Sequence, residues 1–176
     1  LLARAALDEE PAHGEGRLQL AITLSLKARG LSRSEAWRSG YGGQARALAE
    51  AVIADDPRNA YAHGFLAVWH VEVVRRGGTI GAAMMDASLS EGLSNYEHAV
   101  ALLSDDPGLH WQMARALAAH NPRRHRDRIE AALAAALASG EDTTLDAVMI
   151  RRARVLSEAL VTLDPDAVKR MAEDML

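Results

Sequence analysis

Apolar residues recur at helical spacing along nearly the whole chain, and almost nowhere at the alternation of two that marks a strand. From Arg17 to Arg29 they stand at Leu18, Ala21, Ile22, Leu24 and Leu26, and Gly30 is placed as a C-cap. Ser32 lies three residues before Glu35, the spacing of a capping box, and predicts a helix running to about Ala54. Gly40, Gly42 and Gly43 predict a break in it near Tyr41. Asn59 is placed to cap a helix running to about Arg76, with Gly77-Gly78 as its turn. Met84, Met85, Leu89, Leu93, Tyr96, Ala99, Val100 and Leu103 predict one helix over Ile80 to Ser104, weakened at Gly92. Pro107 opens a helix ending near Asn121-Pro122, and His125 to Ala138 and Leu145 to Leu163 form two more. Asp164-Pro165 starts the last, Asp166 to Met175, and Leu1 to Asp8 is a short first one ended by Pro11.

A repeat underlies this pattern. Asp55-Asp56-Pro57 and Asp105-Asp106-Pro107 are the same tripeptide, each preceded by an alanine-rich amphipathic stretch. Four residues after each proline comes an aromatic, Tyr61 and Trp111; thirteen after comes a histidine, His70 and His120. Self-similarity of this kind sets architecture, here about eight helices stacked as antiparallel pairs in one domain over residues 1–176.

Composition sharpens the picture in three ways. Alanine supplies about a fifth of the 176 residues, which favours helices and their close approach. A net charge of −4 is ordinary and argues against bulk nucleic-acid binding. The absence of cysteine excludes disulfides, thiolate zinc sites and a cysteine nucleophile. No apolar run is long enough to span a bilayer. The chain begins at Leu1 and not at methionine, so an upstream segment is expected; the compartment stays open, with the cytoplasm favoured slightly over the periplasm.

The stretch Tyr61-Ala62-His63-Gly64-Phe65-Leu66-Ala67-Val68-Trp69-His70 resembles the first helix of a tetratricopeptide (TPR) repeat, with Leu66-Ala67 at the Leu-Gly position and His70 in the tyrosine slot. Ala45, Ala49, Val52 and Pro57 resemble the end of a second helix, as do Asn95, Ala99, Leu102 and Pro107. Trp111, Ala114 and His120 resemble the first helix of the next unit. The units are longer than the family's ~34 residues, and alanine replaces the aromatic of its second helix. The resemblance covers Ala45 to Ala138 and implies an all-α, TPR-like superhelix, a short α-solenoid. It further implies a non-enzymatic interaction module whose concave groove holds a peptide or a partner helix. The groove candidates are Tyr61, Val68, Glu72, Trp111 and Arg115; for Tyr61 and Trp111, packing between repeats is the competing role.

Other constellations offer less chemistry. Arg123, Arg124, Arg126 and Arg128 form a basic patch suited to an acidic partner, or simply a solvated turn paired with Asp127 and Glu130. His63 and His70 share a helical face with Glu72 and His98 in reach, yet no His-x-x-x-His spacing supports a metal. No nucleophile elbow or phosphate-binding loop occurs, so neither a catalytic residue nor a cofactor is expected. Met171, Met175 and Leu176 give the last helix an apolar face that must cap the array, self-associate or bind a partner. Two further readings stand beside the scaffold. One is a periplasmic binding or transport accessory protein holding a small apolar ligand; the other is a helical metal-dependent enzyme using His63, His70 and Glu72.

Overall fold

The computed structural model describes residues 13–175 and is all-helical across them. In chain order the helices are α1 (Gly14–Arg29), α2 (Arg33–Ser39), α3 (Tyr41–Asp55), α4 (Ala60–Met84), α5 (Leu89–Leu102), α6 (Pro107–His120), α7 (Arg126–Ala138), α8 (Thr144–Thr162) and α9 (Pro165–Asp174). The helix expected over Leu1 to Asp8 lies outside the described residues.

Local chemistry explains most boundaries. Ser32 and Glu35 form the reciprocal capping box that starts α2, and Thr143 and Asp146 form a second at α8. Asn59 caps α4 by accepting the Ala62 N–H at 3.0 Å. Gly40, at φ 67°, ends α2 and separates it from α3, which is the break expected near Tyr41.

Two sequence expectations need correction. Ile80 to Ser104 is not one helix. The chain turns at Gly78 (φ 59°, ψ −161°), a conformation that suits only glycine. It then makes further helical turns to Met84 and leaves helix through Asp86 at φ 49°. Ser88 caps a new helix by accepting the Glu91 N–H. Nor are the two Asp-Asp-Pro marks equivalent. Asp56 closes α3 and Pro57 lies in the connection, whereas Asp106 caps α6 and Pro107 is its first residue. The two helices therefore start three residues apart relative to the prolines, so residues equally distant from proline stand almost one turn further into α6 than into α4.

Most helices pack on their neighbours in sequence, α4 on α5, α6 on α7, α3 on α4 and α7 on α8, while α1 packs on α3 across the short α2. Longer-range contacts join α4 to α6 and α6 to α8, and α9 returns to lie on α6. The largest core is centred on α6, where Trp111, Met113 and Leu117 meet Val71 of α4, Ile129 and Leu133 of α7, and Leu156 of α8. Smaller apolar clusters hold α1, α3 and α4 together through Leu18, Val52 and Leu66, and through Ala21, Leu24 and Ala45. Between α4 and α5 the backbones approach closely at Gly92, where a Cβ would stand 3.1 Å from the Ala67 carbonyl oxygen.

The apolar face of the last helix is used within the molecule. Val168 and Ala172 are buried, and Met171 and Met175 pack against the α6-centred core. No helix among the described residues is long and apolar enough to cross a membrane.

Candidate functional site

Glu72 lies on the inward face of α4, and its carboxylate is nearly enclosed. A buried carboxylate survives as an anion only when paired and hydrogen-bonded. Here Arg115 of α6, fully buried, donates to Oε1 at 3.0 Å. Arg75 donates to Oε2 through Nε at 3.0 Å and Nη2 at 2.8 Å, and its Nη1 reaches Glu173 of α9 at 2.9 Å. Arg29, the last residue of α1, brings its guanidinium within 3.8 Å of Oε1. Burial pushes the Glu72 carboxyl up, but Arg115, Arg29 and Arg75 together outweigh it and hold it below the usual carboxylate range. Next in sequence, Arg76 donates to the Ala28 and Leu31 carbonyl oxygens at the end of α1, at 3.1 and 3.0 Å. One polar node thus joins α1, α4, α6 and α9.

The five residues expected to face a groove separate into different roles. Glu72 and Arg115 belong to this internal node and are not on an open surface. Trp111 is fully buried in the α6 core, so it packs and does not line a groove. Val68 is partly buried against the same core. Tyr61 alone is exposed, at 53 %, and its hydroxyl donates to Asp106 at 2.9 Å, tying the start of α4 to the cap of α6. The difference between Tyr61 and Trp111 follows from the shifted helix starts. Tyr61 is the second residue of α4, while Trp111 is the fifth of α6.

The histidines are mostly structural ties. The His70 ring accepts from the Ser88 N–H and is held neutral first by burial and then by Arg46. His110 donates to the Ser104 carbonyl oxygen at 2.9 Å and accepts from the Tyr96 hydroxyl at 2.7 Å; burial pushes that hydroxyl up to about 12. His63 lies between Asn95 and the Pro57 carbonyl oxygen, beside the ring of His98, and Glu72 is committed to arginines. Among the described residues no group of three or more histidines and carboxylates gathers to hold a metal ion.

His120 Nδ1 and His125 Nε2 share a hydrogen bond of 2.9 Å, and the other ring nitrogen of His125 is buried without a partner. Burial, then His120, Arg124 and Arg128, lower the His125 pKa to about 4, and burial also lowers that of His120. The unfolded chain takes up these protons near 6.5. It therefore binds more protons than the folded form below that value, and stability falls as pH drops from about 6.5 towards 4. The expected slope from His125 reaches about 1.4 kcal/mol per pH unit inside that window. Urea midpoints at pH 7, 6 and 5 check it. His125→Gln should flatten the profile, and an equally steep variant would locate the acid sensitivity elsewhere.

Arg123, Arg124, Arg126 and Arg128 are all exposed, and Arg126 pairs with Glu130 at 2.9 Å across one helical turn. Beside them a small polar cleft of about 150 Å³ is lined by His120, Asn121, Arg123 and Lys169.

The larger concavity lies elsewhere, between α1 and α3. It is an open trough of about 340 Å³, lined by Leu20, Leu24, Ala47, Leu48 and Ala51, with Gln44 as its one polar wall. None of these was singled out as a groove residue from sequence. Their signal was available in the spacing Leu20/Leu24 and Ala47/Leu48/Ala51, which gives two apolar helix faces each wider than the partner covers.

Neither a family model, a curated protein nor a solved structure matches the chain.

Proposed function

We propose that the protein is a non-enzymatic scaffold, a short α-solenoid of stacked helix pairs resembling a TPR array, which binds a helical segment of a protein partner. The trough between α1 and α3 carries this reading. It runs along a helix–helix seam and has an almost wholly aliphatic floor, which suits the apolar face of an amphipathic helix presenting residues at spacings of three and four. The neighbour-to-neighbour packing supports it, because helix pairs joined in that way leave seams open on one side. Chemistry elsewhere points the same way: the buried carboxylate and histidines are engaged in ties between helices.

The test places a photo-crosslinking amino acid at Ala47, exposed in the trough, in the protein expressed in its host. The expected adduct maps to a partner segment with an apolar face at helical spacing, and Leu48→Glu abolishes it. Adducts that persist in Leu48→Glu, or that map to extended or wholly polar segments, overturn the proposal.

A further inference from the structure

Charge does not balance around Glu72. Four guanidiniums, those of Arg29, Arg75, Arg76 and Arg115, gather there, and two carboxylates, Glu72 and Glu173, answer them. Arg33 adds another positive charge within electrostatic reach of Arg76. Arg33 apart, four positive charges against two negative leave two over in a region partly withdrawn from water.

The arginines are also used unequally. Arg75 spends Nε, Nη1 and Nη2 on carboxylates. Arg115 directs the same three nitrogens to Gln112, Ala172 and Glu72. Arg76 gives both terminal nitrogens to carbonyl oxygens. Arg29 approaches Glu72 only at 3.8 Å, and among the described residues it donates no hydrogen bond. Its side chain keeps 19 % of its surface exposed, so it is not sealed off from solvent. Burial lowers its pKa to about 10; Glu72 opposes that shift, and Arg115, Arg75 and Arg76 add to it. A guanidinium carries five N–H donors in a rigid fork that matches phosphate and carboxylate oxygens.

We propose that Arg29, backed by Arg75 and Arg76, forms a binding site for a phosphate group. The ligand's charge selects phosphate over a single carboxylate. A phosphate monoester brings about 1.5 to 2 negative charges at neutral pH, which matches the two-charge excess. Its three oxygens accept several N–H groups at once, and among the described residues Arg29 spends its donors on no hydrogen bond, only on the long ion pair to Glu72. The site is separate from the trough between α1 and α3, since it is formed at the end of α1 against α4, and it stands or falls independently of the partner-helix reading.

The experiment titrates inorganic phosphate into the protein and follows binding by calorimetry and by the 31P chemical shift. Acetate and chloride at matched ionic strength are the comparison arms. Saturable phosphate binding is expected, with acetate at least tenfold weaker and chloride showing none. Arg29→Met should abolish it; Arg29→Lys, which keeps the charge and loses the fork, should weaken it about tenfold. A phosphorylated serine side chain on a short peptide, run beside inorganic phosphate, distinguishes a protein-borne source from a free one. No saturable phosphate signal in the wild-type protein, or the same affinity in folded Arg29→Lys and wild type, overturns the proposal. The wild-type titration decides even if a variant fails to fold.

Discussion

Glu72→Gln is expected to cost about 3–5 kcal/mol of folding stability, the range for breaking a buried ion pair by removing one partner. The substitution keeps the size and shape of the side chain, so the loss isolates charge from packing. It leaves Arg115 buried and still cationic, with no anion to pair with, only a neutral amide oxygen at most and long contacts to Gln112 at 3.4 Å and the Ala172 carbonyl at 3.5 Å. Arg75 retains Glu173 but loses both bonds to Glu72. The excess of positive charge also rises by one. For a protein of this size, stability is of the order of 5–15 kcal/mol, so the variant sits near the threshold of folding. Urea unfolding followed by circular dichroism measures the loss. A companion experiment removes both charges: Glu72→Gln with Arg115→Met should recover part of it, because the fully buried guanidinium is no longer left without a counter-charge. A loss below about 1 kcal/mol in Glu72→Gln would mean that water reaches the node and screens it like a surface pair.

Trp111→Ala is expected to cost about 3–5 kcal/mol, the range for truncating a large buried aromatic. Trp111 is fully enclosed at the centre of the largest core, between α4 and the α7–α8 side, so the space it leaves is walled by rigid helices. Its indole N–H is buried without an acceptor. Trp111→Phe should therefore be much milder than the alanine variant, because it removes an unsatisfied donor along with the lost ring. Tyr61→Phe, at the position four residues after the other proline, loses an exposed hydrogen bond and should cost no more than about 1 kcal/mol. Thermal and urea midpoints of the three variants check the order. If Trp111→Ala and Tyr61→Phe proved equally mild, the enclosed placement of Trp111 would be untenable.

That contrast shows how far the sequence could be read. Helix type and most boundaries followed from short-range chemistry: Ser32 with Glu35, Asn59 as a cap, glycine at 40 and 78. The repeated Asp-Asp-Pro was visible, but its two copies looked identical. Whether proline stands in a connection or begins the helix depends on the residue that wins the cap, Asn59 in one case and Asp106 in the other. A three-residue offset of the start moves an aromatic almost one turn along the helix, from the exposed first turn at Tyr61 to the enclosed second turn at Trp111. One helix over Ile80 to Ser104 fails because Met84, Met85 and Leu89 keep apolar spacing across a break fixed by backbone torsions at Asp86 and by the Ser88 cap.

The polar node was legible only in part. Glu72 and Arg75 stand at a spacing of three on one helix and could have been paired from sequence. Arg29 and Arg115 join them from 43 residues away on either side, through tertiary packing that no local pattern encodes. Their enclosure was hidden too, since an arginine in an alanine-rich helix reads equally well as a solvated face. The trough has a different cause: Leu24 belongs to the apolar spacing of α1, while Leu20 flanks that spacing and Leu48 lies on α3, and only the way α1 meets α3 opens a seam along them.

The division of the apolar interior into one large cluster around α6 and smaller ones around α1 and α3 has a consequence for how the molecule opens. The α1–α3 portion is sealed by few large side chains and carries an open seam, so its backbone amides should exchange with solvent well before those of α6. Besides those small apolar clusters, Arg29 and Arg76 tie the end of α1 to α4 by polar contacts. Added salt, which screens charge, should therefore loosen this end of the chain before the α6 end.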